Sequence, residues 1–259
     1  MEKRIFASVT NKKCPYGCIY CFVNSTQYKR GIDIKNKKKF SELIERCSII
    51  QPACDSELLL EKKWFELLVE LAQYGKSISF ASKKCISNDE VKRLKIIDDI
   101  LKEKEEILNV GVTICRYNGY QEIEPNAPHP DKRIEGLRRL YDSGIGCNVI
   151  IRPIFPDGNL DDFYQIIDKT NKYCYGYLLG PLYANENVKN YFKTHEIWDK
   201  DLVSEIKTPE WNQYSEMEVM YSFKIMKQLE NYIINKSSRI FYSNDLCVEE
   251  IRRMRRIRK

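Results

Sequence analysis

The chain is poor in the residues and runs that mark several large protein classes. It has two histidines in 259 residues, so a zinc site completed by imidazole has only His129 or His195 to draw on. No Gly-x-Gly-x-x-Gly and no Gly-x-x-x-x-Gly-Lys occurs, which argues against a dinucleotide or P-loop phosphate cradle. No apolar run approaches membrane-spanning length. The Met-Glu-Lys-Arg start is not followed by a secretory-type apolar segment, so a cytoplasmic protein is expected. A second Cys-x2-Cys pair, an internal repeat and a low-complexity linker are likewise missing.

Cysteine, by contrast, is abundant, with 10 residues. Without an export signal these predict a reducing compartment and metal-bound or buried thiols, not a disulfide scaffold. The net charge of +6 is modest. Two runs are more basic than the rest, Lys35 to Lys39 and Arg252 to Lys259, and such runs are solvated faces or phosphate contacts.

Three of the thiols stand together in Cys14-Pro15-Tyr16-Gly17-Cys18-Ile19-Tyr20-Cys21, a Cys-x3-Cys-x2-Cys spacing on a loop bent by Pro15 and Gly17. Thiolates this close can wrap one soft-metal centre. Iron–sulfur and structural zinc sites usually take four protein ligands, and here the fourth is missing. Three thiolates on a cubane cluster leave one iron open to a small molecule.

Around this loop, strand-like and helix-like segments alternate. Short apolar strands are expected near residues 4–10, 47–52, 77–82, 107–115, 146–153 and 173–179. Helices are expected over 40–46, 62–74, 88–104, 131–143 and 160–170. Apolar runs without strict alternation fit strands buried on both faces. The pattern predicts parallel βαβ units and an α/β fold, a partial (β/α)6 TIM-type barrel over residues 1–182, with chemistry at the C-terminal ends of the strands. Residues 183–259 read as an extension closing one side: an irregular polar stretch with Trp198 and Trp211, a helix over 217–234, a strand over 239–243 and a basic helix over 248–259.

The thiol loop, placed after the first strand, resembles the signature of the radical S-adenosylmethionine (radical SAM) superfamily. The stretches IIQPACDSELL, FASKK and IIRPIFP, with the acidic Pro-rich segment from Glu122 to Ile134, are similar to the spore photoproduct lyase-like and DNA repair photolyase-like branch. The resemblance covers residues 4–182. It implies that Cys14, Cys18 and Cys21 ligate a [4Fe–4S] cluster whose open iron chelates SAM. It further implies reductive SAM cleavage to a 5′-deoxyadenosyl radical that abstracts hydrogen, with electrons from a flavodoxin or ferredoxin.

Carried to the strand ends, the resemblance places Tyr20 near adenine and Glu57 on the SAM ammonium. Asp55-Ser56-Glu57 stands where many members carry Gly-Gly-Glu. Ser82, Lys83 and Thr113 are expected near ribose or carboxylate, Arg152 on a carboxylate, and Gly180 where backbone approaches adenine. Cys54, Cys85 and Cys115 fall near strand ends as candidate hydrogen-atom donors. Arg133 is expected to pin the acidic loop through Glu124, and His129 to be a loop residue. The substrate is expected to be a nucleic acid or nucleotide. The alternatives are a peptide-modifying radical SAM enzyme and, from another class, a zinc-stabilised nucleic-acid-binding module whose basic runs and tyrosines contact phosphate and bases.

Overall fold

A computed structural model describes residues 4–10, 12–21, 23, 31–155, 159–195, 202–207 and 217–257. In chain order the main elements are β1 (Arg4–Ser8), β2 (Ile32–Asp33), α1 (Lys37–Ile44), β3 (Ile49–Pro52), α2 (Trp64–Ala72), β4 (Ser77–Ser82), α3 (Asn88–Glu103), β5 (Leu108–Thr113), α4 (Tyr120–Ile123), α5 (Pro130–Asp142), β6 (Gly146–Ile151), α6 (Leu160–Thr170) and β7 (Tyr177–Leu179). After them come β8 (Leu182–Ala184), α7 (Glu186–Thr194), β9 (Leu202–Lys207), β10 (Met217–Ser222), α8 (Phe223–Asn235), β11 (Ile240–Phe241) and α9 (Asn244–Ile257).

All six expected strands of the barrel are present and adjacent. The parallel sheet runs β11-β7-β6-β5-β4-β3-β1-β2, so the two-residue strands β2 and β11 form its edges. Ile78, Leu108, Val110, Val112, Val149 and Ile151 are fully buried, as parallel strands covered on both faces require. The helices begin where the side chains dictate. Ser87 and Glu90 form a reciprocal capping box at α3, and His129 caps α5 by accepting from Asp131 N at 3.1 Å. His129 thus has the loop role expected of it.

The expected helix over 217–234 is corrected to a strand followed by a helix. Residues 217–222 pair antiparallel with β8 and β9, forming a second, three-stranded sheet. Ser222 accepts from Ile225 N and starts α8 there. The apolar positions of α8 run smoothly into the alternating Val219 and Tyr221, which disguised the boundary. Within the stretch expected to be irregular, β8, α7 and β9 are regular; Trp198 and Trp211 lie outside the described residues.

The basic end of the chain is also corrected in part. Helix α9 lies across the N-terminal ends of the barrel strands, and two of its arginines, Arg252 and Arg255, are paired inside the protein. Arg252 donates to Ser77 Oγ at 2.8 Å and pairs with Glu106 at 2.5 Å. Arg255 forms a two-pronged pair with the fully buried Asp98 at 2.6 and 3.0 Å. Burial opposes the charge on Asp98, but Arg255 and Lys102 outweigh it and hold its carboxyl below the usual range. A depressed carboxylate contributes stability that is complete above the unfolded value of about 3.9 and is lost as pH falls through the lower folded value. Acid titration of thermal stability is therefore expected to show a loss below about pH 4 that Asp98→Asn reduces.

Candidate functional site

The barrel encloses a cavity of about 290 Å³ that runs from the thiol loop at the C-terminal strand ends down to the start of β1. Cys14, Cys18 and Cys21 all line it. Their loop is held from outside. Ile19 N donates to Ile123 O at 3.0 Å, Asn126 Nδ2 to Pro15 O at 3.1 Å, and Asn185 Nδ2 to both Ile19 O and Cys21 O at 3.1 Å. Gly17 turns the loop at φ +62°, a left-handed conformation that glycine adopts without a Cβ penalty. Burial pushes the Cys18 thiol up to about 11 and raises that of Cys14, while the Lys83 ammonium counteracts both. Such thiols hold their protons until a cation displaces them.

Behind the loop sits a buried charge network. Glu124 is fully buried, and Arg133, fully buried too, meets its Oε2 at 2.5 Å. Arg133 also donates to Thr113 O at 3.1 Å and Pro128 O at 2.7 Å, so it ties the acidic loop to the end of β5 as expected. The Tyr20 hydroxyl donates to Glu124 Oε1 and lies 3.4 Å from Cys115 Sγ. Lys83 Nζ lies 4.0 Å from the same carboxylate and 5.4 Å from the centre of the Tyr20 ring. Burial opposes the charge on Lys83, but Cys18 and Glu124 more than offset this and hold the ammonium above its usual value.

Glu57, in the loop that follows β3, projects into the same space. Its two oxygens accept from Ser82 Oγ at 2.7 Å and Lys83 N at 2.9 Å, which fixes the carboxylate against the end of β4. Burial raises its pKa, and those hydrogen bonds limit the rise. Next to it Ser56 Oγ is buried without a hydrogen-bond partner. A polar atom left so in a cavity wall is a place for a polar ligand.

No family model matches the sequence. An uncharacterized protein of Methanocaldococcus jannaschii is 28% identical over 205 residues, covering 74% of this chain and 76% of its own length. Among solved structures, a point mutant of spore photoproduct lyase superposes with a TM-score of 0.61 at 14% identity, covering 92% of this chain and 82% of the lyase. The chain has the fold of spore photoproduct lyase. The same lyase complexed with dinucleoside spore photoproduct gives 0.60 at 13% identity, over 90% of this chain and 75% of the lyase. SuiB of Streptococcus suis, bound to S-adenosylmethionine, gives 0.60 at 7% identity over 94% of this chain; the chain spans 50% of SuiB.

Within this lyase-like fold, the structure gathers most of the sequence-selected residues. Tyr20, Glu57, Ser82, Lys83, Thr113 and Arg152 line the cavity together with the three thiols. Gly180 does not line it. A Cβ there would meet Arg152 Nε at 2.6 Å, so the room left by the glycine is filled by Arg152, which reaches on to Tyr183 OH at 3.0 Å. Of the three further cysteines, Cys54 lines the cavity, Cys85 lies outside its lining, and Cys115 sits behind Tyr20 with its thiol 3.1 Å from Arg152 O. Burial pushes the Cys115 thiol up to about 12.

Sequence reasoning missed several lining residues. Asp55 accepts from Ser8 Oγ at 2.5 Å across the β1–β3 pair, and Tyr16 is buried beside the loop. Their signal was proximity to a motif already singled out. Arg4, Gln51 and Asn244 also line the cavity, and nothing in their local sequence marks them.

Proposed function

We propose that the chain is a radical SAM enzyme acting on a nucleic acid or nucleotide. The observation carrying this reading is that all three thiols of one loop face the interior of a barrel cavity, at the strand ends where such folds place their chemistry. Cys14, Cys18 and Cys21 would hold a [4Fe–4S] cluster. When bound, that cluster would supply one electron from an outside donor such as a flavodoxin or ferredoxin to SAM, releasing a 5′-deoxyadenosyl radical for hydrogen abstraction.

The residues present fit both groups. A single zinc draws its ligands together, whereas a cubane leaves three thiolates on three separate irons. Three thiols within one loop, with no second Cys-x2-Cys pair in the sequence to complete a zinc site, favour the cluster over the zinc-module alternative. Ser56, with its unpartnered hydroxyl, and Glu57, fixed by Ser82 and Lys83, offer a polar shelf for the amino acid end of SAM. Lys83 places a buried positive charge beside the thiols, which favours their deprotonated form. Glu124, Arg133 and Tyr20 set the position of the loop that carries the thiols. The buried apolar walls exclude water from a reactive species.

For the substrate, the likeness in fold to spore photoproduct lyase complexed with a dinucleoside supports the nucleotide reading. Anaerobic reconstitution with iron and sulfide, reduction with dithionite in the presence of SAM, and chromatography for 5′-deoxyadenosine test the proposal. Formation of that product is expected. A protein that takes up zinc but no iron and sulfide, and yields none, would sink it.

A further inference from the structure

The cavity has a lower end that the thiols and the Glu57 shelf do not reach. Its floor is built by Arg4 at the start of β1, Gln51 of β3, Ser79 of β4 and the first residue of α9, Asn244. Phe6, Ile150 and Leu178 wall it. The two floor amides do not choose their own orientation.

Asn109 Nδ2 donates to Ser79 Oγ at 3.0 Å, and the same amide donates to Asn148 Oδ1 at 3.0 Å. Having received one hydrogen bond, the Ser79 hydroxyl passes its own proton to Asn244 Oδ1 at 3.0 Å. Asn244 is thereby fixed with its oxygen occupied and its NH2 turned away from Ser79. Gln51 is set in the same sense by a group that can only donate, since Arg4 Nη1 approaches Gln51 Oε1 at 3.4 Å. Among the described residues no protein acceptor takes Asn244 Nδ2 or Gln51 Nε2.

We propose that this floor is a substrate subsite that reads an edge made only of acceptors, a carboxylate or a pair of carbonyl oxygens on a flat ring, and rejects an edge that donates. The proposal rests on the enzyme reading above and names what the far end of its substrate must carry. Arg4 adds positive charge to the floor; Asp245, 3.5 Å from Arg4 Nε, keeps the local balance near neutral, so the acceptor pattern and not net charge sets the preference. The guanidinium of Arg4 lies 4.6 Å from the centre of the Phe6 ring, which holds it at the floor. Both amides are half-buried, and a bound edge that itself donates would cover their N–H groups without an acceptor, which is what would make a mismatch costly.

The experiment is calorimetric titration of the 259-residue chain with benzoate and with benzylamine, which share a ring and differ in the sign of the hydrogen-bonding edge. Saturable binding of benzoate and none of benzylamine is expected. Asn244→Asp keeps the volume and the acceptor for Ser79 but turns the presented NH2 into an oxygen. It is expected to weaken benzoate by about ten-fold or more and to gain benzylamine binding. Asn244→Leu is expected to lose benzoate without that gain. The proposal is overturned if wild type binds benzylamine as well as benzoate, if benzoate does not bind, or if Asn244→Asp leaves both affinities unchanged. The titration needs no cluster, and 5′-deoxyadenosine formation by the reconstituted protein is scored separately. Failure of the subsite is therefore distinguishable from failure of the enzyme reading.

Discussion

Cys18→Ala is expected to reduce 5′-deoxyadenosine formation to background while the protein still melts cooperatively close to the wild-type temperature. The two halves of this expectation have different physical origins. Cys18 is buried, and removing its sulfur from an otherwise intact loop costs about 1 kcal/mol of packing. The loop itself is tethered through Ile19 N, Cys21 O and Pro15 O to Ile123, Asn185 and Asn126, none of which depends on the thiol. Cluster retention has no such redundancy, because the neighbouring protein offers no fourth thiol within the motif. Iron and sulfide analysis beside a melting curve separates the effects. A variant that keeps the cluster and full turnover would show that Cys18 is only a small core residue.

The largest loss of stability is expected from Arg133→Met. Both partners of the Arg133 and Glu124 pair are fully buried, and removing the guanidinium strands a carboxylate where water cannot reach it. Breaking one side of such a pair costs about 3–5 kcal/mol. Tyr20 and Lys83 remain near Glu124 and lessen the penalty without abolishing it. Replacing both charges, as Arg133→Met with Glu124→Leu, is expected to recover part of the loss, because the stranded carboxylate is gone although the Tyr20 hydroxyl and the Lys83 ammonium lose their acceptor. Equilibrium denaturation of the two variants checks this. If the double variant is no more stable than the single, the pair is not what holds the loop.

The barrel strands were legible because burial on both faces leaves a local mark, a short apolar run between helices, at each of β1, β3, β4, β5, β6 and β7. The thiol loop was legible for a similar reason: its chemistry depends on spacing within eight residues. Strand β10 was not, since its alternation is brief and flows into α8, and only the capping hydroxyl of Ser222 marks the join. The basic end misled for another reason. Arg252 and Arg255 find Glu106 and Asp98 through tertiary folding, and no neighbour in sequence announces those acids. Gly180 was placed at the correct strand end, but the side chain that needs its space, Arg152, comes from the residue just after the preceding strand β6. The cavity floor escaped notice altogether, because Arg4, Gln51 and Asn244 meet only when the barrel closes.

Helix α9 across the bottom of the barrel has a consequence for the order of assembly. Ser79 and Asn244 are 165 residues apart in the chain, and Ser77 and Arg252 are 175 apart. During synthesis the strands leave the ribosome long before the helix that seals them. Until it arrives, Arg4, Ser77 and Ser79 stand in an open-ended barrel with solvent in place of Asp245, Arg252 and Asn244. Contacts of this span are late and slow to form. The anchors of the thiol loop, the last of them Asn185, leave the ribosome before Asn244, so the floor of the cavity is the last part to close.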